Sequence, residues 1–339
     1  MVLIDLFSGI GGFHLGLSNA GYQFSEVYFS EVDQHCIANY HYKFSNATYA
    51  GSIKSLSELP QADIITFGSP CQNLSIAGNR KGLRGQQSAL IGYALDLIER
   101  QQPPIFIWEN VKGAFTSQKG RDFQAIVQRL TYSGLYRLEW QLLNSSWILP
   151  QNRERIILVG HHRDASRPKV FPFRPTDQAF VQKTKHQPQT KAHFPTISTQ
   201  VDRKCSPYII QKGRGYNQGG LHEQFPTITS HSWENNHFII DARSYDRDTR
   251  IYDSMPCLTA NMGNGGRNVP YYYNTQDYII RRITALEAER AQGFPDNWTK
   301  FGKYENEKKE IAMTNRYRMI GNAVSPPIIE LVGRRLLES

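Results

Sequence analysis

The 339 residues are enough to bury a substantial core in one large domain or two modest domains. Hydrophobic residues make up 40% and charged residues 20%, which is typical of a folded protein and excludes a strongly disordered one. The formal net charge of +9 favours a polyanionic partner without identifying it, and no apolar stretch is long enough to span a bilayer.

The first residues and the cysteines indicate a cytoplasmic protein. The chain begins with Met1-Val2-Leu3-Ile4-Asp5, which has no basic region of the kind that opens a signal peptide. No two of the four cysteines form a CxxC pair, which argues against a zinc site and a disulfide framework. We therefore expect no metal, no membrane contact and a reducing compartment.

Residues 1–160 predict a doubly wound parallel α/β sheet, because short apolar runs alternate with amphipathic stretches. The predicted strands are Val2–Leu6, Glu26–Ser30, Ile64–Phe67, Ile105–Glu109 and Ile156–Gly160. The predicted helices lie at about 12–20, 33–43, 87–101 and 120–133.

The first strand leads into a glycine-rich turn, Phe7-Ser8-Gly9-Ile10-Gly11. Glycines allow a ligand to approach the backbone closely, so this turn favours NAD, FAD or a phosphate, or is purely structural. The second strand ends at Glu31, about 20 residues later, where an acid in a nucleoside-binding fold holds a ribose. Glu31 alone is also compatible with a surface acid.

Two further strand ends carry reactive side chains. Cys71 follows Gly68-Ser69-Pro70 at the end of an apolar strand and suits a nucleophile, although an isolated cysteine is more often a small buried residue. Glu109 ends another apolar strand, so partial burial should raise its pKa and let it carry a proton near neutrality. The alternative for Glu109 is a structural acid paired with Lys or Arg.

Gln151, Arg153 and Arg155 precede the last predicted strand of this region. Strand alternation places the three on one face, where two guanidinium groups can bind a carboxylate, a carbonyl or a phosphate. A solvated edge strand is the alternative.

After Gly160 the sequence predicts a second, irregular β-rich domain. Phe194-Pro195-Thr196-Ile197-Ser198, Phe225-Pro226-Thr227-Ile228-Thr229 and Met255-Pro256-Cys257-Leu258-Thr259 form a repeat, and each unit should contribute short strands that pack together. Helices return after Thr284, which opens a capping box with Glu287, and after Ser325-Pro326-Pro327. We expect residues 1–160 and 300–339 to form a catalytic domain and residues 161–299 a recognition domain, with its variable part at about 161–280.

The set and order of these elements resemble the DNA (cytosine-C5) methyltransferases of restriction–modification systems. The resemblance rests on the segments at 5–12, 68–72 (Gly-Ser-Pro-Cys-Gln), 109–111 (Glu-Asn-Val), 151–155 (Gln-Asn-Arg-Glu-Arg), 282–295 and 321–324. It covers nearly the whole chain except 161–280, the variable target-recognition region of that family. It implies a Rossmann-like, S-adenosylmethionine-dependent fold with a smaller recognition domain.

The resemblance also implies site residues. Cys71 would attack C6 of a flipped-out cytosine, Glu109 would act at N3, and Arg155, supported by Arg153 and Gln151, would contact O2 and hold Glu109. The implied contacts to S-adenosylmethionine are Phe7, Ser8, Gly9, Ile10, Gly11, Glu31, Ile53, Pro70, Leu90 and Asn322. The implied DNA contacts are Gln72, Ser75, Arg80, Lys81, Gln151, Thr227, Arg243 and Arg267.

Double-stranded DNA is the expected partner of a monomer, and the sequence leaves open whether a paired restriction endonuclease, with no stable complex implied, exists. Four positions depart from the family pattern without removing a group that does covalent chemistry: Ser52, Gln87, Ile148 and Ala323. Three other functions fit parts of the sequence: RNA methylation, DNA binding without catalysis, and a nicotinamide oxidoreductase that uses the glycine-rich turn. The last leaves Cys71 and Glu109 unexplained.

Overall fold

The computed structural model describes most of the chain outside the recognition region. The described residues are 1–70, 89–116, 120–164, 168–175, 177, 209–210, 221–222, 237–241, 250–252, 255–263, 269–274 and 279–338. Across these ranges, no helix has the length and apolar character that a bilayer crossing requires.

A seven-stranded sheet organises the first half of the chain. Its strands are β1 (Val2–Leu6), β2 (Glu26–Ser30), β3 (Thr48–Tyr49), β4 (Ile64–Phe67), β5 (Ile105–Val111), β6 (Tyr136–Asn144) and β7 (Glu154–His162). They lie in the order β3-β2-β1-β4-β5-β7-β6. The five predicted strands are all present, but the sheet is mixed rather than wholly parallel, because β7 runs antiparallel to both β5 and β6.

Helices follow the strands of the sheet as the sequence predicts. The helices are α1 (Gly12–Ala20), α2 (Gln34–Lys43), α3 (Ala89–Gln101), α4 (Lys112–Thr116), α5 (Arg121–Tyr132), α6 (Ala285–Gln292), α7 (Met313–Asn322) and α8 (Pro326–Leu337). The capping box of Thr284 and Glu287 is present at the start of α6, which ends at Gly293 in the left-handed region (φ 87°). Proline occupies the first turn of α8, which confirms the predicted final helix.

Apolar side chains on both faces of the sheet explain the continuous hydrophobic runs of its strands. On β1, Leu3 enters one core cluster with Leu17 of α1 and Val332 of α8. The next residue, Ile4, enters a second cluster with Leu95 of α3. A parallel strand that is buried on both faces reads as an unbroken apolar stretch, and β1 and β4 have this pattern.

The recognition region contains a four-stranded antiparallel sheet in the order β11-β10-β12-β13, formed by β10 (His237–Asp241), β11 (Arg250–Tyr252), β12 (Tyr271–Asn274) and β13 (Ile279–Arg282). A separate pair comprises β8 (Ile209–Ile210) and β9 (Leu221–His222), and a later hairpin comprises β14 (Phe301–Tyr304) and β15 (Glu307–Glu310). Strands β8, β10 and β13 each contain two adjacent isoleucines, at 209–210, 239–240 and 279–280, and lie between or after the copies of the predicted repeat. Its first two Pro-Thr-Ile copies lie outside the described residues.

The third copy of the repeat, 255–259, does not begin a strand. Met255 forms a single bridge with Gln151, and a 3-10 helix follows at Ala260–Gly263. Met255 and Leu258 are buried with Ala288 of α6 and Ile320 of α7. This segment therefore packs against the helices of the C-terminal part of the chain.

Candidate active site

The carboxyl ends of β1 and β4 form the point at which the strand order reverses. The chain proceeds outward from β1 to β2 and β3, and then returns to β4 on the other side of β1. Ligand sites of open α/β sheets form at this kind of position. The segments 7–11, 31–33 and 68–70 all leave the sheet at this edge.

The glycine-rich turn after β1 has the backbone conformation that its sequence predicts. Phe7, Gly9 and Gly11 all have positive φ values, of 53°, 54° and 79°. No atom lies within 4 Å of the position that a Cβ would take on Gly9, so this residue faces open space. The buried Ser8 hydroxyl has no hydrogen-bond partner among the described residues. An exposed backbone beside an unpaired buried hydroxyl fits a polar ligand at this turn.

Glu31 fixes the same turn from the neighbouring strand. Its carboxylate accepts hydrogen bonds from the backbone N–H groups of Gly9 at 2.8 Å, Val32 at 2.7 Å and Asp33 at 3.0 Å. Glu31 therefore orders the loop after β1 and the loop after β2 together. The adjacent Val32 is 75% exposed, which provides an apolar surface at the sheet edge.

A fully buried carboxyl group lies beneath the turn. Asp5 accepts hydrogen bonds from the Thr66 hydroxyl at 2.8 Å and from the Tyr40 hydroxyl at 3.3 Å. The Tyr40 hydroxyl also lies 3.2 Å from Nδ1 of His14. Burial raises the pKa of Asp5 to about 8 and lowers the pKa of His14 to about 4. Asp5 and His14 are thus both neutral at pH 7.

The segment that leads to Cys71 is held by two residues of β5. The Ser69 hydroxyl accepts hydrogen bonds from the Trp108 indole N–H at 3.2 Å and from the Asn110 amide at 3.1 Å. The same amide donates to the Ser69 carbonyl at 2.9 Å. Ser69 is buried, so the backbone two residues before Cys71 has a defined position. Cys71 itself lies outside the described residues.

Glu109 lies on β5 beside this segment. A Cβ on Gly68 would lie 3.6 Å from its Oε2 atom. Its Oε1 atom forms an ion pair with Nε of Arg155 on β7 at 3.1 Å. Burial raises the pKa of Glu109 and outweighs the lowering by Arg155 and Arg153, as the sequence predicts for an acid at the end of an apolar strand. Glu109 therefore keeps its proton to a higher pH than an ordinary glutamate does.

Arg153 has a different set of partners from Arg155. Its guanidinium donates to the carbonyls of Leu258 at 3.0 Å, Gly321 at 3.2 Å and Ala323 at 2.8 Å. Burial lowers its pKa to about 10, so it stays charged at pH 7. The strand β7 begins at Glu154, after Arg153, and the two guanidinium groups bind separate oxygen acceptors, although both contact the Cys257 sulfur.

Gln151 is fully buried, and its side-chain amide has no hydrogen-bond partner among the described residues. It lies just before the Arg153–Arg155 segment and bridges Met255 through the backbone. An unpaired buried amide points to a partner that the described residues do not supply.

The other expected cofactor contacts differ in how accessible they are. The side chains of Ile10 and Ile53 are buried in core clusters, and Ile10 accepts a hydrogen bond from the Trp298 indole through its carbonyl at 2.9 Å. Pro70 and Asn322 are exposed, and Leu90 is half-buried. The expected DNA contacts other than Gln151 lie outside the described residues: Gln72, Ser75, Arg80, Lys81, Thr227, Arg243 and Arg267. Gln87 also lies there.

Several residues that shape the site were not singled out from the sequence. Ser69 and Asn110 lie in the segments 68–72 and 109–111, but nothing in their residue types indicates that they bind each other. Asp5 is a detectable case, because an acid within an apolar parallel strand must be buried. Across the described residues, no cluster of His, Cys, Asp and Glu is suited to a metal ion.

Comparison with known proteins agrees with this geometry. The family model described as C-5 cytosine-specific DNA methylase matches residues 1–338. The chain is 30% identical over 343 residues to the type II methyltransferase M.Bsp6I of Bacillus sp. (strain RFL6), covering 99% of this chain and 98% of the relative. It is 30% identical over 347 residues to the type II methyltransferase M.HpaII of Haemophilus parainfluenzae, covering 99% of this chain and 88% of the relative.

Solved structures show the same fold. A putative DNA modification methyltransferase encoded within a prophage of E. coli superimposes with a TM-score of 0.62 at 21% identity, over all of both chains. The Dnmt2 methyltransferase of S. pombe superimposes with a TM-score of 0.63 at 19% identity, over 100% of this chain and 98% of that one.

Proposed function

The chain belongs to the C-5 cytosine-specific DNA methylase family and is a DNA (cytosine-5-)-methyltransferase that uses S-adenosylmethionine, and from this premise we propose that it methylates a flipped-out cytosine through a covalent bond between Cys71 and C6. The observation that carries the proposal is the buried Glu109–Arg155 pair. Glu109 lies at the same sheet edge as Gly68, and Gly68 is three residues before Cys71 in the chain. Family membership removes the nicotinamide alternative.

The reaction needs a nucleophile and an acid on the same base. C5 of cytosine is a poor nucleophile, and addition of the Cys71 thiolate to C6 makes it electron-rich. A protonated Glu109 donates to N3 as negative charge develops in the ring. When bound, S-adenosylmethionine supplies an electrophilic methyl group to C5. Loss of the C5 proton and cleavage of the C6–sulfur bond then release the product and restore the thiolate.

Arg155 supports this role of Glu109 by position, whereas its charge alone would lower the pKa of the carboxyl group. Its guanidinium is near enough to orient the carboxyl group, and a remaining N–H can donate to O2 of the cytosine. Because burial outweighs the two arginines in setting the pKa of Glu109, the carboxyl binds a proton more tightly than an ordinary glutamate does, which favours its use as a proton donor. We assign Arg153 a positioning role, since its guanidinium binds three backbone carbonyls.

The turn after β1 suits the cofactor. The open backbone at Gly9 and the unpaired hydroxyl of Ser8 are available for hydrogen bonds, and Glu31 lies where it can accept from ribose hydroxyls. Phe7, Gly11, Pro70 and Asn322 would complete the contacts, with Leu90 and the backbone of Ile10 and Ile53 behind them. We further propose that residues 161–299 select the DNA sequence and that a paired endonuclease cleaves the same sequence.

The proposed covalent step can be tested by trapping. Duplex oligonucleotides that carry 5-fluorocytosine in the target sequence should form a stable adduct with the protein in the presence of S-adenosylmethionine, because the fluorine cannot be removed as a proton is. Bisulfite sequencing of DNA from cells that express the chain would first identify that sequence. The Cys71→Ser variant should still bind DNA and cofactor but form no adduct. Efficient methyl transfer by Cys71→Ser would contradict the role of Cys71.

A further inference from the structure

A second cysteine lies beside the two arginines of the site. Sγ of Cys257 is 3.7 Å from Nη1 of Arg153 and 3.8 Å from Nη2 of Arg155. Cys257 is half-buried and belongs to the segment 255–259 of the recognition region. None of the roles proposed above uses this thiol.

The position of Cys257 is defined by main-chain contacts on both sides. The Met255 N–H donates to the Pro150 carbonyl at 2.9 Å, and the Asn152 N–H donates to the Met255 carbonyl at 2.8 Å. On the other side, the Leu258 carbonyl accepts from Arg153. These backbone contacts therefore hold the Cys257 thiol in a defined position beside the two arginines.

Arg155 connects Cys257 to the acid of the reaction. One end of its guanidinium forms the ion pair with Glu109, and Nη2 at the other end faces the sulfur. The charged groups that face Glu109 among the described residues are Arg155 and Arg153, and both also face Cys257. Lys112 and Glu154 form an exposed pair with each other. A change of charge on the sulfur will thus alter the field that Arg155 and Arg153 exert on Glu109.

We propose that Cys257 is a positioning residue for methyl transfer, whose sulfur orients the Arg155 guanidinium against Glu109 and offsets part of its positive charge. This inference rests on the proposed role of Glu109 as the acid that acts on N3. The charge of the site supports it: burial by itself raises the pKa of the Cys257 thiol, but the positive charges of Arg153 and Arg155 outweigh burial and lower it. Cys257 thus links the segment 255–259 to the protonation of Glu109.

The direction of the effect follows from the charges. Glu109 must be protonated, so activity falls as pH rises through its pKa. Removal of the sulfur leaves the charges of Arg153 and Arg155 without compensation, which stabilises the Glu109 carboxylate and lowers its pKa. The alkaline limb of the kcat–pH profile should therefore move to lower pH by about 0.5 to 1 unit.

Three substitutions separate charge from packing. Cys257→Ala and Cys257→Ser both remove the sulfur that offsets the arginines and should shift the alkaline limb down, with kcat at pH 7.5 reduced about threefold to tenfold and the KM for DNA changed by less than about twofold. Cys257→Asp supplies a negative charge at this position and should leave the limb at its original pH or higher. A limb that stays in place in both the alanine and the serine variants would overturn the inference, as would a change confined to the KM for DNA. Thermal unfolding of each variant serves as the control for folding.

A measurement without catalysis tests the contact between the sulfur and the arginines. Iodoacetamide alkylates a thiolate with release of iodide, and mass spectrometry of peptides reports the rate at each cysteine. Cys257 should react with a midpoint below that of an ordinary thiol, whereas the buried Cys36, near Glu31 and Asp33, should resist at the same pH. An ordinary or higher midpoint at Cys257 would refute the inference even if the unaltered protein methylated no DNA. Absence of methyl transfer with a low midpoint would instead contradict the proposed function.

Discussion

The buried carboxyl group of Asp5 leads to a quantitative prediction about stability. In the folded protein its pKa is raised to about 8 from 3.8, because burial disfavours the charged form more than the hydroxyls of Thr66 and Tyr40 favour it. Between these two values the folded protein keeps the proton and the unfolded chain loses it. The contribution of Asp5 to the free energy of unfolding should therefore fall by about 1.4 kcal/mol for each unit of rising pH, and this effect should level off above pH 8.

Asp5→Asn is the perturbation that isolates this effect. An asparagine keeps an oxygen for the Thr66 hydroxyl, offers an N–H to the Tyr40 oxygen and has no proton to lose in this range. The variant should therefore gain stability relative to the unaltered protein by about 3 kcal/mol between pH 5 and pH 7. Its stability at low pH, where Asp5 is neutral in both states, should be similar to that of the unaltered protein.

The assay is urea unfolding of both proteins at pH 5, 6, 7, 8 and 9, with Glu58→Gln as a matched control. Glu58 is exposed, so its substitution should change stability by the same small amount at every pH. If the difference between Asp5→Asn and the unaltered protein does not grow with pH, Asp5 is ionised in the folded state, and the assignment of a neutral acid beneath the glycine-rich turn is wrong.

Three further predictions concern the same edge of the sheet. Glu109→Gln should lower kcat by about 100-fold or more, measured by transfer of a labelled methyl group, while binding of S-adenosylmethionine changes little; an unchanged rate would leave Glu109 structural. Ser69→Ala removes the acceptor for Trp108 and should lower kcat more than the affinity for cofactor, measured by calorimetry. His14→Gln should make the stability of the protein depend less on pH between 6.5 and 4. The pKa of His14 is lowered to about 4 in the folded protein, so the stability that its neutral ring contributes is present above pH 6.5 and is lost by about 1.4 kcal/mol per unit as pH falls towards 4.

The sequence predicts the strands of the sheet where local chemistry defines both their ends. The bounds of β1, β2 and β4 are those expected: β1 leads into the glycine-rich turn, β2 is followed by Glu31 and β4 by Gly68. β6 was not expected, since its buried residues, Tyr136 and Leu143, lie near its two ends, and Arg137 and Trp140 between them are exposed. This partial burial belongs to an edge strand, and only the neighbouring strand reveals that it continues the sheet.

The chemistry of Glu109 could be anticipated because the cause of its raised pKa is local. Its four preceding residues on β5 are apolar, so burial follows from the sequence. The partners of the two arginines could not be anticipated in the same way. Arg155 and Arg153 are two residues apart, yet one binds a carboxylate and the other binds carbonyls from segments more than 100 positions away. Contacts over such separations depend on the tertiary fold.

The contacts of Arg153 connect the two domains that the sequence predicts. Its guanidinium binds Leu258 in the recognition region and both Gly321 and Ala323 at the end of α7. A Cβ on Gly321 would lie 2.2 Å from the Thr259 backbone, so the segment 255–259 and α7 are in direct contact. Removal of this segment would leave a buried guanidinium short of an acceptor and expose the apolar surface that Met255 and Leu258 cover. The segment 255–259 therefore stabilises the part of the chain that carries Arg153 and α7 as well as the site.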